Sequence, residues 1–171
     1  MVNTSMAGVK KPRCRSAKPE DALEIFAVLV EVACEIPVCI KDDDREKVIE
    51  KIQAQVGMRK SLVATDAMGR IVALLLVEPR AAGNKLVLDG EPQPAGLNLL
   101  YGGVTKSWRG KHIFPAMIDK MKRRGLPLFA AVRHDNKGHM AERLIKLGFE
   151  KVGTLFEEDK FRWLPNQGAE R

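Results

Sequence analysis

The sequence predicts an α/β domain built on one mixed sheet of about six or seven strands, with helices on both faces. Three observations carry this. Leu97 to Arg133 reads as strand, helix, strand, an order that requires a crossover and therefore a parallel pair. Ile71 to Val77 is a nearly unbroken apolar run, short enough to be a strand and apolar enough to be covered on both sides. Near its end the chain offers two short strands, Phe149 to Leu155 and Lys160 to Leu164, split by Glu157-Glu158-Asp159. They read as a closing hairpin.

The bounds agree with one domain. At 171 residues, 45% hydrophobic and 30% charged, the chain suits a single core, expected over residues 13–164 between a basic arm at 1–12 and a short tail at 165–171. No apolar run approaches the ~20 residues that cross a bilayer, and the basic start is not followed by a signal-peptide core. Cys14, Cys34 and Cys39 form neither a CxxC pair nor an even set, so a reducing, cytoplasmic setting without structural zinc is expected. The net charge of +7 gathers early, in Lys10, Lys11, Arg13, Arg15 and Lys18. A solvated tail explains such an arm, and a nucleic-acid or membrane contact is the other reading; no RRM, zinc-finger or helix-turn-helix pattern supports nucleic acid.

Arg13 to Ser16 is the first expected strand. Pro19, Glu20 and Asp21 suit the first turn of a helix whose apolar face is Ala22, Leu23, Ile25, Phe26, Leu29, Val30 and Ala33, ending before Pro37. Asp42, Asp43 and Asp44 offer caps for a second helix with Val48, Ile49, Ile52 and Val56 inward and Gly57 closing it. The aspartates could be taken for a metal cluster, but a hard cation wants ligands from several segments. Ser61 to Thr65 and Arg70 to Val77 flank a hairpin turn with Gly69 at the positive-φ position. The excursion from Glu78 to Gly96 holds one further strand candidate, Leu86-Val87-Leu88.

The central stretch follows. Leu97 to Val104 is apolar apart from Asn98 and then reaches Gly102-Gly103, a pair that marks a bulge or a close backbone approach. The loop Thr105 to Arg109 carries Lys106 and Arg109, and Gly110 is expected to open a helix with Ile113, Phe114, Met117, Ile118 and Met121 inward. Lys120, Lys122, Arg123 and Arg124 suit the negative end of its dipole, and Gly125 its left-handed cap. A glycine-containing loop entering a helix presents unpaired amides at a positive dipole end, which holds phosphates; a basic turn before a core helix would read the same way. Leu128 to Arg133 is a strand, His134-Asp135-Asn136 a turn, and Lys137 to Leu147 the last helix, with Met140, Leu144 and Leu147 inward.

Two stretches resemble the GNAT superfamily of acyl-CoA-dependent N-acyltransferases. The family's signature runs Arg or Gln, two residues, Gly, one residue, then Gly or Ala at a helix start. Arg109-Gly110-Lys111-His112-Ile113-Phe114 matches its Arg, and His112 and Phe114 stand at the two signature small-residue positions. Met140 to Phe149 resembles the family's last large helix with its terminal Leu147-Gly148-Phe149. The likeness spans roughly Arg13 to Leu164.

The resemblance implies a GNAT-like, partly splayed sheet with acyl-CoA wedged between the central strand and the strand after its helix, the splay falling at Gly102-Gly103. It further implies pantetheine paired with the backbone of Gly102, Gly103 and Val104, and a pyrophosphate on the amides from Arg109 or Gly110 through Lys111, His112 and Ile113 to Phe114. Asn136 stands one residue before the family's CoA-contacting Asn. Acetyl-CoA is the implied donor, as a substrate and with no metal. A primary amine on a small molecule or protein is the implied acceptor. Many relatives use a tyrosine as general acid where this chain has Leu144; Tyr101 and His134 are the remaining candidates for that role, and Glu31, Glu35 and Glu78 for a base. A GNAT-fold CoA-binding or assembly module without transfer activity is the alternative, and a homodimer stays open.

Overall fold

The computed structural model describes residues 11–33 and 45–165. Pro37, the Asp42 to Asp44 cap, Cys34, Cys39, Glu35, the arm before Lys11 and the tail after Pro165 lie outside the described residues. Strand β1 (Arg13–Ser16) leads through a short turn at Pro19–Asp21 into helix α1 (Ala22–Val32). The Asp21 carboxylate fastens that junction, accepting the Lys18 amide at 2.8 Å and both arms of the Arg15 guanidinium at 2.6 and 2.9 Å. Helix α1 buries Ile25, Val28, Leu29 and Val32, whereas Leu23 and Val30, expected inward, are half exposed. Helix α2 (Arg45–Gly57) includes Gly57 instead of stopping at it. The left-handed residue is Arg59, with φ 56°.

Strands β2 (Leu62–Thr65) and β3 (Ile71–Arg80) form the expected hairpin, with Gly69 at φ 84° and Asp66 Oδ1 accepting the amides of Met68 and Arg70, both at 2.9 Å. Strand β3 outruns β2, so its last residues pair only with the next strand. Pro79 is tolerated there because no ladder bond is asked of it. Period-2 alternation sends Leu75 and Val77 to one face and Leu74 and Leu76 to the other. Leu86 to Leu88 does not form a strand. The excursion makes a turn closed by Gly90 N–H on the Val87 carbonyl and a single bridge between Lys85 and Pro92.

The remaining elements are β4 (Gly96–Val104), α3 (Ile113–Lys122), β5 (Leu128–Arg133), α4 (Met140–Lys146), β6 (Glu150–Leu155) and β7 (Glu158–Trp163). The sheet has seven strands in the order β1-β2-β3-β4-β5-β7-β6, with β4 and β5 parallel and every other pair antiparallel. Helices α1 and α2 cover one face and α3 and α4 the other, each over its own apolar cluster. Among the described residues no helix is long and apolar enough to cross a membrane.

Basic residues at the end of α3 do more than complement its dipole. Lys120 donates to the Cys14 carbonyl at 2.6 Å, Arg124 to the Lys60 carbonyl at 2.6 Å, and Lys122 to the Leu147 carbonyl. They tie α3 to β1, to the approach to β2 and to the end of α4. Helix α4 begins three residues later than the sequence suggested, because Asn136 Oδ1 takes the Gly138 amide and His139 turns left-handed. Its end explains Leu147-Gly148-Phe149. Gly148 has φ 79°, its N–H reaches Ile145 and the Phe149 N–H reaches Leu144, closing the helix on a left-handed glycine.

The turn between β6 and β7 is tighter than expected: Glu158 and Asp159 are strand residues, leaving only Phe156 and Glu157, at φ 52° and 60°. Two consecutive left-handed residues suit the strand twist but favour Asn-Gly, and Phe156 is 84% exposed. Replacing Phe156→Asn and Glu157→Gly together is expected to stabilise the protein by about 1 to 2 kcal/mol. Thermal unfolding checks it: a lowered midpoint would show that the phenyl ring contributes more than the turn conformation costs.

Candidate active site

The site begins where the parallel pair stops. Strands β4 and β5 are in register only over Leu97–Leu99 against Leu128–Ala130. Opposite β3, Leu76 faces Tyr101 and Val77 faces Leu99, so Leu100 is an extra residue that kinks β4. The splay therefore starts at Leu100, not at Gly102-Gly103 as the sequence suggested. The glycines do something else. They pair regularly with Leu75 and Leu74, and a Cβ built on Gly102 would lie 2.6 Å from Phe114 Cε2, one on Gly103 2.9 Å from Val32 Cγ2. Their bareness lets α3 and α1 approach β4 from opposite faces.

Between β4 and the start of α3, Lys106–Trp108 forms one tight turn and Gly110 takes φ 73°. The helix starts at Ile113, not at Gly110, with His112 left-handed before it at φ 55°. Its first ladder bond runs from the Ala116 N–H to the His112 carbonyl at 3.2 Å. The amides of Ile113 and Phe114 precede that ladder, and Pro115 has none to offer. Lys111 lies 4.2 Å above the Trp108 ring, and Arg109 Nε donates to the Val104 carbonyl at 3.2 Å, so the basic loop is folded back on itself.

Two cavities open along the unpaired edge of β4. The first, of about 320 Å³, is lined by Gly102, Gly103, Val104, the Trp108 to Phe114 loop (apart from Lys111), Asn136 and the α4 residues Met140, Arg143 and Lys146. The second, of about 370 Å³, lies under the splay against Leu75, Leu99, Leu100, Tyr101, Val132, Arg133, Leu144 and Glu158. Gly102, Phe114, Asn136 and Met140 border both.

Most of the residues singled out from sequence thus line these cavities. Gly102, Gly103, Val104, Arg109, Gly110, His112, Ile113, Phe114 and Asn136 border the first, and Tyr101, 37% exposed, the second. Lys111 lies beside that loop on Trp108 and borders neither. His134 also borders neither: its imidazole meets Asp159 at 3.1 Å on the surface, a carboxyl held down at about 2 by hydrogen bonds from Lys151, Thr154 and His134. Of the base candidates, Glu31 accepts the Lys106 amide at 2.8 Å and Glu78 accepts from Asn98 at 3.2 Å, both outside the cavities. Leu144, where a family acid is expected, is 2% exposed and borders the second cavity. Trp108, Arg143 and Lys146 were missed. The two basic residues had a signal, their i, i+3 spacing on one face of the last helix. Among the described residues no His, Cys, Asp and Glu cluster could hold a metal.

No protein-family model and no curated protein matches the sequence. Solved structures do. A Streptococcus agalactiae GNAT-family acetyltransferase superposes with a TM-score of 0.70 at 15% identity, covering 94% of this chain and 100% of its own. The fold is that of the GNAT acetyltransferases. A Corynebacterium glutamicum protein described as histone acetyltransferase HPA2 and related acetyltransferase gives a TM-score of 0.68 at 19% identity, over 94% of this chain and 100% of its own. Arabidopsis thaliana NAA60, solved with acetyl-CoA, gives 0.67 at 14% identity over 90% and 99%. Within the GNAT fold, the unpaired end of β4 and the amide-bearing start of α3 border the first cavity, and the open seam between β4 and β5 borders the second.

Proposed function

We propose that the protein transfers an acetyl group from acetyl-CoA to a primary amine by direct attack of the amine nitrogen on the thioester carbonyl. The supporting observation is the unpaired edge of β4, which runs from the kink at Leu100 to a basic loop ending in the free amides of α3. Edge N–H and C=O groups at Gly102 to Val104 would pair with pantetheine as an added strand would. The amides from Gly110 to Phe114, with Arg143 and Lys146, would hold the diphosphate. An N–H of this edge would meet the thioester oxygen, a contribution worth ~3 kcal/mol in comparable sites.

The C–N bond forms as the C–S bond breaks; the departing sulfur takes a proton and the new amide nitrogen loses one. A lysine-like amine is neutral in only about one part in a few thousand at pH 7, so removal of its proton, to water or a base, addresses ~4 to 5 kcal/mol. The thiol, with a pKa of ~8.5, leaves readily, and its proton source is worth less. Tyr101 is the hydroxyl at the second cavity. Tyr101→Phe is expected to lower kcat about tenfold with donor affinity unchanged; an equal kcat would remove the hydroxyl from the reaction.

Leu144 in that cavity favours a second reading, a CoA-binding module without transfer. Calorimetry with acetyl-CoA, followed by free-thiol release over a panel of amines and peptides, separates the two. Binding with release supports the transferase. Binding without release supports the module, and no binding at millimolar donor sinks both.

A further inference from the structure

The second cavity is lined by charge as well as by leucines, and the two charges stand in a definite relation. Arg133 is the last residue of β5 and Glu158 the first of β7, and they lie directly opposite each other in the antiparallel ladder. Both line the cavity. Opposite charges so placed, about 5 Å apart at Cβ, ordinarily pair across the strands. These two do not. The Arg133 guanidinium turns to Asp135, donating from Nε to Oδ1 at 3.0 Å and from Nη2 to Oδ2 at 3.2 Å. The Glu158 carboxylate takes Lys160 of its own strand, and among the described residues no ion pair joins it to Arg133. Neither Asp135 nor Lys160 borders the cavity. The wall therefore presents a cation and an anion side by side, each with its counter-ion outside. They stand three residues past Ala130, where β5 leaves β4, about 10 Å along the strand. At the fork itself the lining is Leu99, Leu100 and Tyr101.

We propose that the acceptor is a free diamino acid, held with its α-ammonium on Glu158, its α-carboxylate on Arg133 and its side-chain amine at the fork beside Tyr101. This rests on the reading of the protein as an acetyl-CoA-dependent transferase and names the acceptor for it. The two charges of an amino-acid head sit on one carbon, so they call for a cation and an anion that are neighbours without being partners. The register of β5 and β7 supplies that arrangement. The methylenes of the acceptor lie along the leucines, and the nitrogen at their end attacks the thioester. Its bond to the acetyl carbon forms as the C–S bond breaks; its proton passes to water or a base, and the departing sulfur takes one up. A lysine within a protein has no such head, because both charges are lost to peptide bonds.

The test compares acceptors of equal reach by free-thiol release from acetyl-CoA on the full chain. Lysine carries both head charges, pentane-1,5-diamine lacks the carboxylate, 6-aminohexanoate lacks the α-ammonium, and pentylamine lacks both. The wild type is expected to turn over lysine with a kcat/KM about tenfold above that of either single-charge analogue, and pentylamine least well. Glu158→Gln is expected to lower lysine and pentane-1,5-diamine about tenfold while moving the other two less than about threefold. Arg133→Gln is expected to lower lysine and 6-aminohexanoate by a similar factor and to spare the two amines without a carboxylate. Glutamine keeps a hydrogen-bonding group beside Lys160 or Asp135, and the wild-type series depends on no variant folding. Equal kcat/KM for all four in the wild type, or a variant that lowers all four alike, overturns the assignment while the transferase stands. So does faster turnover of Nα-acetyl-lysine amide than of lysine, which would make the acceptor a protein-borne lysine. If the protein binds acetyl-CoA but releases thiol with none of these acceptors, the transfer reading falls and the assignment with it.

Discussion

Reversing the charges of Arg143 and Lys146 together is expected to weaken acetyl-CoA binding about a hundredfold, close to 3 kcal/mol. Both side chains are exposed on one face of α4 and line the same cavity as the first amides of α3. Each contributes on the order of 1 kcal/mol to a phosphate at contact distance through water, and an acidic replacement turns that attraction into repulsion of similar size. Stability should change far less, by about 1 kcal/mol from the dipole at the end of the helix. Calorimetry at two ionic strengths checks the claim, since the loss must shrink as salt screens the exposed charges. Unaltered affinity in the double variant would mean that the diphosphate does not lie on this side of the cleft.

Gly96→Ala is expected to cost about 3 kcal/mol of stability, lowering the melting midpoint by about 10 °C. The reason is backbone rather than side chain. A Cβ on Gly96 would sit 2.3 Å from the Pro127 carbonyl oxygen, and that same oxygen accepts the Leu97 amide at 2.9 Å to begin the β4–β5 pairing. Rotating a side chain cannot relieve such a clash, so the strands must part where their shared register is only three residues long. A midpoint within about 2 °C of wild type would show that the seam yields without loss.

The architecture was legible because its signals are long. Seven apolar residues in β3 demand cover on two faces, and the apolar spacing of α3 leaves one choice of inward side. What was not legible turned on single residues. Gly102-Gly103 reads as a break, yet the kink is at Leu100, where nothing in the side chain announces an extra residue in register; the glycines answer instead to Phe114 of α3 and Val32 of α1, which approach from opposite faces of the sheet. The left-handed turn at Phe156-Glu157 runs against the preferences of both residues, so composition placed it late. In the site, the loop and Asn136 could be named from order alone, whereas the place of His134, beside Asp159 and outside both cavities, could not. Arg143 and Lys146 went unremarked because basic residues near a helix end already have a use in the dipole.

The short overlap of β4 with β5 has a mechanical side. Seven strands count as one sheet, but four of them form one plate and three another, and a few main-chain links between Leu97–Leu99 and Leu128–Ala130 are the spine of that book. Torsion of one plate against the other concentrates on those links, and the amides there should exchange with solvent sooner than those at the centres of β3 and β7.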